Sequence, residues 1–518
     1  MQPAPWDPPV ALSPVEQAIV SRIKRARLFV FLRQQRHVLF SAAFQAELAG
    51  YYAASRVGHP PQPPARLALA VLLQAYVGCS DDEVLEALVM DRRWQLVLDC
   101  RDAERAPFSK GTYVAFRQWL IRHDLDRRLI ERTVEVAAAQ GGFSPRTLRA
   151  ALDSSPLWGA ARVEDTYNLV GHALRKAVSV LARQQGRELT AVATEAGATV
   201  VTRASLKTAL DCNWDVPAER EAALAVVLEA LTAVERYLAT QPAPPGAAAP
   251  WQPYLVAAQQ VRAQDVETTA GGTPTLRRGV ARDRRIAVED GAMRHGRKSR
   301  RERIDGYKRH VVRDLDQELI RAVGVTAANV PDAAVTPALE ADLAHQQVTV
   351  QEWAIDRAYL SSALVRERAP GVRITCKAWP VRGVGERYAK TAFTLDWARG
   401  VLRCPQAQEV PLRLGHTVHF PAAACADCPV RERCTTSPQG RSIHLHPDER
   451  LLAELRERQA TPEGRARLRE RVAVEHTLAH LGHWQGRRAR YCGQRKNLFD
   501  TRRCAVVYNL HVLARRAA

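Results

Sequence analysis

Hydrophobic and polar positions along the first third of the chain repeat with the period of helices. Apolar residues recur at helical spacing between residues 16 and 145, as in PARLALAVLLQAYVG at 64–78. Ser80 and Glu83 stand three residues apart before the next apolar run, which is the pattern of a capping box. These signals predict an N-terminal helical domain over 1–145, preceded by a Pro-rich arm. Short helices with Arg and Lys on their polar faces suit a DNA-binding module, although they suit a plain helical bundle equally well.

The middle of the chain shows the apolar runs and alternation of strands. One predicted strand, LRAAL, ends at Asp153, and another, VTVQEWAID, ends at Asp356. Between them lie two alternating runs joined by a short turn at 314–316, followed by a helical stretch at 332–346. The predicted strands are LRAAL (148–152), GYKRHVVRD (306–314), LIRAVGVT (319–326), VTVQEWAID (348–356) and RITCKAW (373–379).

Two further helical regions complete the predicted elements. An Ala- and Leu-rich helical insertion is predicted over 164–282, with a Pro/Ala linker, QPAPPGAAAP, at 241–250. Near the C-terminus, Thr461-Pro462-Glu463 is a good helix start, because Thr caps and Pro suits the first helical position. In that helix Glu475 lies off the predicted apolar stripe, which consists of Leu468, Val472, Leu478 and Leu481.

This order of strands, helices and acids is that of an α/β ribonuclease-H-like fold. Adjacent strands there bring two Asp side chains together, and a late helix packs its Glu against them. Asp153, Asp356 and Glu475 are the predicted set, and their oxygens suit hard cations such as Mg²⁺ or Mn²⁺. The predicted division is a helical domain (1–145), a mixed-sheet catalytic domain (146–163, 283–380 and 461–518), a helical insertion (164–282) and a Cys-rich insertion (381–460).

Charge and hydropathy narrow the classes of partner. With 75 Lys and Arg against 55 Asp and Glu, the net charge is +20, which points to a polyanion such as DNA or RNA. The alternative is a generally basic protein from a GC-rich genome. No apolar run approaches the ~20 residues of a membrane span, and the N-terminus lacks the pattern of a signal peptide. We therefore expect an intracellular protein with no membrane partner.

Several segments resemble the bacterial insertion-sequence transposases of the Asp-Asp-Glu class. ALDSSPLWGAARVEDTYNLV is similar to the region of the first Asp in that family, which gives Asp153. WAIDRAYLS resembles the Asp-Arg-Gly-Tyr segment and gives Asp356, with Ala358 in place of the usual Gly. The segment DGAMRHGRKSRRERIDGYKRHVVRDLDQELIRAVGVTAANVPDA resembles the family's basic stretch and hairpin. The resemblance extends to the N-terminal helices and covers roughly residues 30–515.

The helix that carries Glu475 both matches the family and departs from it. RERVAVEHTLAHLGHW is similar to the Glu-bearing helix, and Arg471 with Glu475 keeps the Arg–Glu spacing of the family. Leu468 stands where Tyr is common, and Gly482 stands where Lys or Arg is common. Contacts that those family residues would make to element-end DNA are therefore not expected from these two positions.

The resemblance implies a DNA transposase that cuts element ends and joins them to target DNA. It implies two Mg²⁺ or Mn²⁺ ions held by the three acids, Arg471 as a supporting residue, double-stranded DNA as partner, and a homodimer acting on two ends. A nuclease or resolvase without strand transfer and an inactive DNA-binding relic are the alternatives. Asp332 is the main competitor for the second acid, although its position favours a helix N-cap, and Asp165 and Asp305 are lesser competitors.

Four cysteines in the C-terminal third have the spacing C-x20-C-x2-C-x5-C. Thiolates with a C-x2-C pair suit tetrahedral Zn²⁺, an iron–sulfur cluster uses the same ligands, and reduced cysteines without metal are the third possibility. His416 and His419 are replacement ligands, and similar cysteine-bearing insertions occur in some transposases of this class. The four cysteines are Cys404, Cys425, Cys428 and Cys434.

The most basic stretch of the chain, 277–309, is the predicted DNA contact. Arg and Lys neutralise phosphates and release counterions, so binding there is expected to weaken steeply with salt. A solvated basic loop is the alternative. The predicted contacts are Arg294, His295, Arg297, Lys298, Arg300, Arg301, Lys308 and Arg309.

Overall fold

The structure, a computed structural model, describes residues 2–53, 60–203, 205–242, 246, 248–298, 301–381, 383 and 385–517. Its N-terminal part is helical, as the sequence predicts. Ser13 with Glu16, and Ser80 with Glu83, form complete capping boxes at two of the helix starts. The helices are α1 (Pro14–Arg22), α2 (Arg27–Leu39), α3 (Ala42–Ala49), α4 (Pro64–Val77), α5 (Asp81–Met90), α6 (Arg92–Leu98), α7 (Lys110–Arg122) and α8 (Leu125–Gly141).

A long strand and a mostly helical insertion follow. The strand is β1 (Thr147–Trp158), after which the chain enters helices that share a hydrophobic core of their own. The insertion contains α9 (Thr166–Gln185), α10 (Leu189–Glu195), a 3-10 helix (Thr199–Thr202), α11 (Leu206–Leu210), α12 (Pro217–Ala239), α13 (Gln252–Asp265) and the hairpin β2 (Val266–Thr268) with β3 (Pro274–Leu276).

The chain then returns to β1 and completes a mixed sheet. The order is β4-β5-β1-β7-β8, and β6 pairs with β5 on the same edge as β4. β5 runs antiparallel to β1 and to β6, whereas β7 is parallel to both β1 and β8. The elements are β4 (Arg294–Arg297), β5 (Arg303–Asp314), β6 (Ile320–Ala327), a 3-10 helix (Asp332–Val335), α14 (Thr336–His345), β7 (Thr349–Ile355), a 3-10 helix (Arg357–Tyr359), α15 (Ala363–Arg366) and β8 (Arg373–Thr375).

The C-terminal third contains the Cys-rich segment and the helices that return to the sheet. The Cys-rich segment has a small core of its own, to which Phe393, Phe420 and Leu445 contribute. Its elements are a 3-10 helix (Lys390–Ala392), β9 (Thr394–Asp396), β10 (Val401–Arg403), β11 (Glu409–Pro411), β12 (Thr417–His419), α16 (Ala422–Ala426) and β13 (Ser442–His444). The helices that follow are α17 (Glu449–Ala460), α18 (Pro462–Glu470), α19 (Val472–Gln485) and α20 (Gln494–Arg516).

Each face of the mixed sheet packs against its own helices, and alternation along β1 decides which residue goes where. Ala151 lies in the hydrophobic core shared with α19, α20 and the N-terminal helices. Ala150 and Leu152 lie in the other core, with α14 and α17. The architecture is therefore the predicted ribonuclease-H-like α/β core, with an N-terminal helical region attached through α20.

Three local predictions are corrected by the structure. Asp153 does not end its strand, because β5 pairs with β1 as far as Trp158; only the pairing with β7 stops at Leu152. The buried stripe of α19 includes Val474, which is fully buried, while Val472 is 40% exposed. The predicted C-terminal helix is also interrupted, since α18 ends and α19 begins on either side of Arg471.

Candidate active site

Asp153 and Asp356 lie side by side on two inner strands of the sheet, at the point where β7 ends. In the parallel pair β1 and β7, Leu152 is opposite Ile355, so the next residue of each chain is the acid. Neighbouring strands are ~4.8 Å apart, which brings the two backbones close at this point. Ala151 and Ala354 share the core on the α19 side, and alternation directs both acids to that same face.

Glu475 approaches this face from α19. Val474, Leu478 and Leu481 are buried against the sheet side of the helix, in the same core as Ala151 and Val311. This packing fixes the first turn of α19 over β1, and the Glu475 side chain remains 48% exposed at its border. The three predicted acids are thus carried by β1, the end of β7 and α19 at one end of one sheet face.

Arg471 links two of the three acids. Its Nη1 donates to Asp153 Oδ2 at 2.5 Å, and its Nη2 donates to Glu475 Oε1 at 2.7 Å. Burial raises the pKa of Asp153 above its ordinary value; the Arg471 charge opposes this rise and the nearby Asp356 charge adds to it. One cation, the Arg471 guanidinium, therefore forms ion pairs with both Asp153 and Glu475.

Asp332, the competing acid, lies on the opposite face of the sheet. Its Oδ2 accepts a hydrogen bond from Ser154 Oγ at 3.0 Å, and Ser154 alternates with Asp153 along β1. Lys308 forms an ion pair with Asp332 and also donates to the Val330 carbonyl. The predicted N-cap role is wrong, because the 3-10 helix that Asp332 begins has no side-chain cap.

A buried polar network behind the acids was not predicted from the sequence. His310, which is fully buried, hydrogen-bonds through Nδ1 to Tyr359 Oη at 2.8 Å and through Nε2 to Thr326 Oγ1 at 2.9 Å. Tyr359 belongs to the short turn after β7, and its backbone N–H donates a hydrogen bond to the Asp356 carbonyl. The network therefore fixes the turn that carries the second acid; the only sequence signal was a histidine at an inward position of an apolar strand.

The predicted DNA-contacting residues in the described part of the chain are buried, ion-paired or exposed. Arg294 and Arg309 are buried: Arg294 pairs with Asp283, and Arg309 donates to Ser155 Oγ at 2.7 Å. His295 and Lys308 pair with Asp305 and Asp332. The exposed members of the predicted set are Arg297, Lys298 and Arg301, whereas Arg300 lies outside the described residues.

The departure at Gly482 has a structural counterpart. A Cβ at this position would lie 3.0 Å from Arg309 Nη2, so the space beside the glycine is filled by the guanidinium. Arg309 Nη1 also donates to Gln485 Oε1 at 2.9 Å, which ties β5 to the end of α19. A cation is thus present beside Gly482, although it comes from the sheet and not from the helix.

Three cysteines of the insertion lie close enough to the fourth, Cys434, to affect its thiol. Burial raises the pKa of the Cys434 thiol, and Cys425, Cys428 and Cys404 each add to the rise. Cys425 Sγ lies near Gly440, where an added Cβ would be 3.4 Å from it. His416 and His419 are exposed on the neighbouring hairpin.

The acids and cysteines provide the donor types of metal sites. Carboxylate oxygens suit Mg²⁺ or Mn²⁺, and thiolates suit Zn²⁺. Across the described ranges, no group of three or more His, Cys, Asp or Glu side chains is placed so that it could hold a metal ion. Arg471 lies between Asp153 and Glu475, where its single positive charge contacts two carboxylates. The donor types of the acids suit a divalent cation, whereas the three side chains are not gathered around one ion position in this structure.

Comparison with known proteins gives two matches, both to transposase families. Residues 403–514 match the model of a transposase DDE domain, and residues 20–119 match a transposase domain model. The first match includes Glu475 and the cysteines, and the second covers most of the N-terminal helices. No curated protein and no solved structure matches the chain. In the described part of the chain, no helix combines the length and apolar character needed to cross a bilayer. The two transposase matches, together with the ribonuclease-H-like core, support an insertion-sequence transposase of the DDE class.

Proposed function

We propose that this transposase cuts DNA at the ends of an insertion element and joins the freed ends to target DNA, with Asp153, Asp356 and Glu475 as the catalytic acids. The observation that carries this proposal is the register of β1 and β7, which brings Asp153 and Asp356 together, with Glu475 linked to Asp153 through Arg471. The position of Asp332 on the other face of β1, beside Ser154, supports the choice of Asp356 over Asp332 as the second acid.

The three carboxylates would hold two Mg²⁺ or Mn²⁺ ions. When bound, a pair of such ions activates the attacking oxygen and stabilises the leaving oxygen in phosphodiester displacement. The protein positions the acids for this work: the sheet fixes two of them, and the buried side of α19 fixes the third. The network of His310 and Tyr359 supports the turn after Asp356, so the second acid does not depend on a free loop.

Arg471 has two tasks in this proposal. It offsets part of the negative charge of Asp153 and Glu475 before a divalent cation arrives, and it aligns their oxygens from a single planar guanidinium. Its release from the acids would leave a cation beside the phosphate that is being cut. We include Arg471 as a supporting residue and not as a fourth ligand.

DNA binding is proposed through the exposed part of the basic stretch. Arg297, Lys298 and Arg301 are exposed next to β4 and β5, which lead directly into the sheet. The net charge of +20 supports a polyanionic partner. Strand transfer exchanges one phosphodiester for another, so no nucleotide hydrolysis is required. A homodimer holding two element ends and a Zn²⁺ ion at the four cysteines remain parts of this proposal.

The experiment uses the full-length protein and a labelled duplex that carries an element end. Wild-type protein is expected to release a cut product and a joined product only when Mg²⁺ or Mn²⁺ is added. Asp356→Asn and Glu475→Gln should lower both products by about 10²-fold or more, because each removes a carboxylate that no other group replaces. Asp332→Asn is the matched control and should keep both products.

Two results would redirect the proposal. Cutting without a joined product would favour a nuclease on the same fold. Loss of cutting in Asp332→Asn, with retention in Asp356→Asn, would contradict the assignment of the acids. DNA binding measured in parallel separates either outcome from misfolding, since none of these three acids is proposed to bind DNA directly.

A further inference from the structure

The helical insertion contains a basic cleft that none of the preceding roles uses. It lies between one face of α9 and the residues Val201, Arg203 and Leu206, and its volume is about 400 Å³. Its α9 wall carries Asn168, His172, Arg175, Lys176, Ser179 and Arg183, which recur at helical spacing. Arg162 and Arg203 line the cleft from outside the helix, and Glu164 is the acid in the lining.

The charges in the cleft are only partly balanced. Glu164 lies 3.8 Å from Arg162 and also bonds His172, while Glu289 lies 3.5 Å from Lys176. Arg183 and Arg203 are exposed, and neither forms an ion pair with any carboxylate of the described residues. The cleft therefore presents more cationic side chains than the protein itself neutralises.

The far wall of the cleft is fixed by the protein. Arg175 donates from Nη1 to the carbonyls of Thr202 and Arg203, both at 2.6 Å. Gly171 permits the close approach of α11, since an added Cβ would lie 2.8 Å from a Leu206 side-chain carbon. These contacts hold the backbone at Arg203 against α9 without occupying the guanidinium of Arg183 or Arg203, so both are available to an anion.

The cleft is close to the catalytic acids along the chain. Arg162 follows Asp153 by nine residues in the sequence. Nine residues span at most ~30 Å when fully extended. One turn of B-DNA measures ~34–36 Å. The near end of the cleft is therefore within one helical turn of a phosphodiester held at Asp153.

We propose that this cleft binds the phosphate backbone of the same DNA duplex that is cut at the acids, with its Arg162 end within one helical turn of the cleavage site. This inference rests on the proposed function for the position of the DNA, although the cleft itself is independent of the acids. Its ligand is a run of phosphodiesters, which Arg183, Arg203 and Lys176 would contact without reading base sequence.

The test reverses the charge of the two arginines that lack partners. The double variant Arg183→Glu/Arg203→Glu is compared with Arg220→Glu/Arg236→Glu, which makes the same charge change at exposed positions of α12 outside the cleft. Full-length proteins are titrated against a labelled 40-base-pair duplex in Ca²⁺ at several salt concentrations. Equal thermal unfolding of both variants and the wild type establishes that the fold is kept.

The cleft variant is expected to bind the duplex roughly tenfold or more weakly at low salt, and its salt slope should fall by about 2, because each lost phosphate contact removes about 0.9. The control should bind within about twofold of the wild type. Hydroxyl-radical footprinting should show protection lost within about two turns of the cleavage site, since the chain from Asp153 to Arg183 spans at most ~70 Å. An unchanged affinity and slope, or lost protection elsewhere on the duplex, would overturn the proposal.

Two further experiments distinguish DNA binding in the cleft from a small-phosphate site and from a failure of the proposed function. Inorganic phosphate at constant ionic strength should not displace the duplex from the wild type; displacement that depends on Arg183 and Arg203 would show a site for a small phosphate instead and overturn the DNA assignment. Asp356→Asn should bind the duplex like the wild type. If the protein cleaves no DNA with any metal ion, the proposed function fails. The difference in duplex affinity between the cleft variant and its control still tests whether the cleft binds DNA.

Discussion

Removing the Arg471 guanidinium should destabilise the protein most when divalent cations are absent. In Arg471→Met the Asp153 carboxylate, with a side chain only 16% exposed, loses its 2.5 Å partner. Breaking a buried ion pair costs ~3–5 kcal/mol, whereas an exposed pair contributes ~0–1 kcal/mol. The Arg471–Asp153 pair is intermediate in burial, and the Arg471–Glu475 pair is half-exposed on the Glu475 side. We therefore expect the free energy of unfolding to fall by about 2 kcal/mol.

The assay is thermal unfolding of wild type and variant with EDTA and with Mn²⁺. A loss of 2 kcal/mol lowers the Tm by about 4–8 °C for a domain of 150–250 residues. Mn²⁺ should raise the Tm more in Arg471→Met than in the wild type, because the ion no longer displaces an internal cation. Arg469→Met, on exposed α18, is the control and should change neither value.

Two results would refute this reasoning. A Tm equal to that of the wild type in EDTA would show that the Asp153–Arg471 pair contributes no stability. An equal Mn²⁺ effect in both proteins would show that the guanidinium and the metal ion do not share a position. Either result would remove Arg471 from the account of the site.

Two other predictions concern the scaffold of the acids. Gly306→Ala should destabilise the protein by about 3 kcal/mol, since φ is +150° and the new Cβ would lie 2.3 Å from the Gly159 nitrogen; Gly111→Ala, with a nearest atom at 3.7 Å, should be neutral or slightly stabilising. Chemical denaturation compares the two, and equal effects would contradict the close packing of β5 on the end of β1. Burial lowers the pKa of His310 to about 4. Because this folded pKa is below the unfolded value of ~6.5, its contribution to stability is present above pH 6.5 and is lost as the pH falls toward 4, by about 3 kcal/mol. His310→Gln should flatten this part of the stability–pH curve, and an unchanged curve would contradict the buried neutral imidazole.

Much of the catalytic core could be predicted from the sequence because its signals are local. Alternating apolar residues identify β5 and β6, and Asp356 directly follows a buried apolar run. The capping residues Ser80 and Thr461 identify helix starts at one-residue accuracy. The order of these elements along the chain is that of the ribonuclease-H-like fold, whereas β4 was not predicted because it lies in a basic stretch without an apolar pattern.

The remaining features depend on contacts between distant parts of the chain. An arginine in a basic stretch looks the same in sequence whether it faces solvent or, like Arg309, fills the space beside Gly482. Similarly, Asp332 follows a Pro at a helix start, and only the structure shows that Ser154 and Lys308 hold it. The cleft on the insertion combines α9 with residues beyond its end, so no single motif marks it.

The most direct test of the central claim is the metal dependence of cleavage by Asp356→Cys. A thiolate is a poor ligand for hard Mg²⁺ and a better one for softer ions, so this variant should cut element-end DNA little or not at all in Mg²⁺ and should recover activity in Mn²⁺. Asp332→Cys should cut in Mg²⁺ like the wild type. Wild-type rates of Asp356→Cys in Mg²⁺ would contradict the claim that Asp356 is one of three metal-binding catalytic acids.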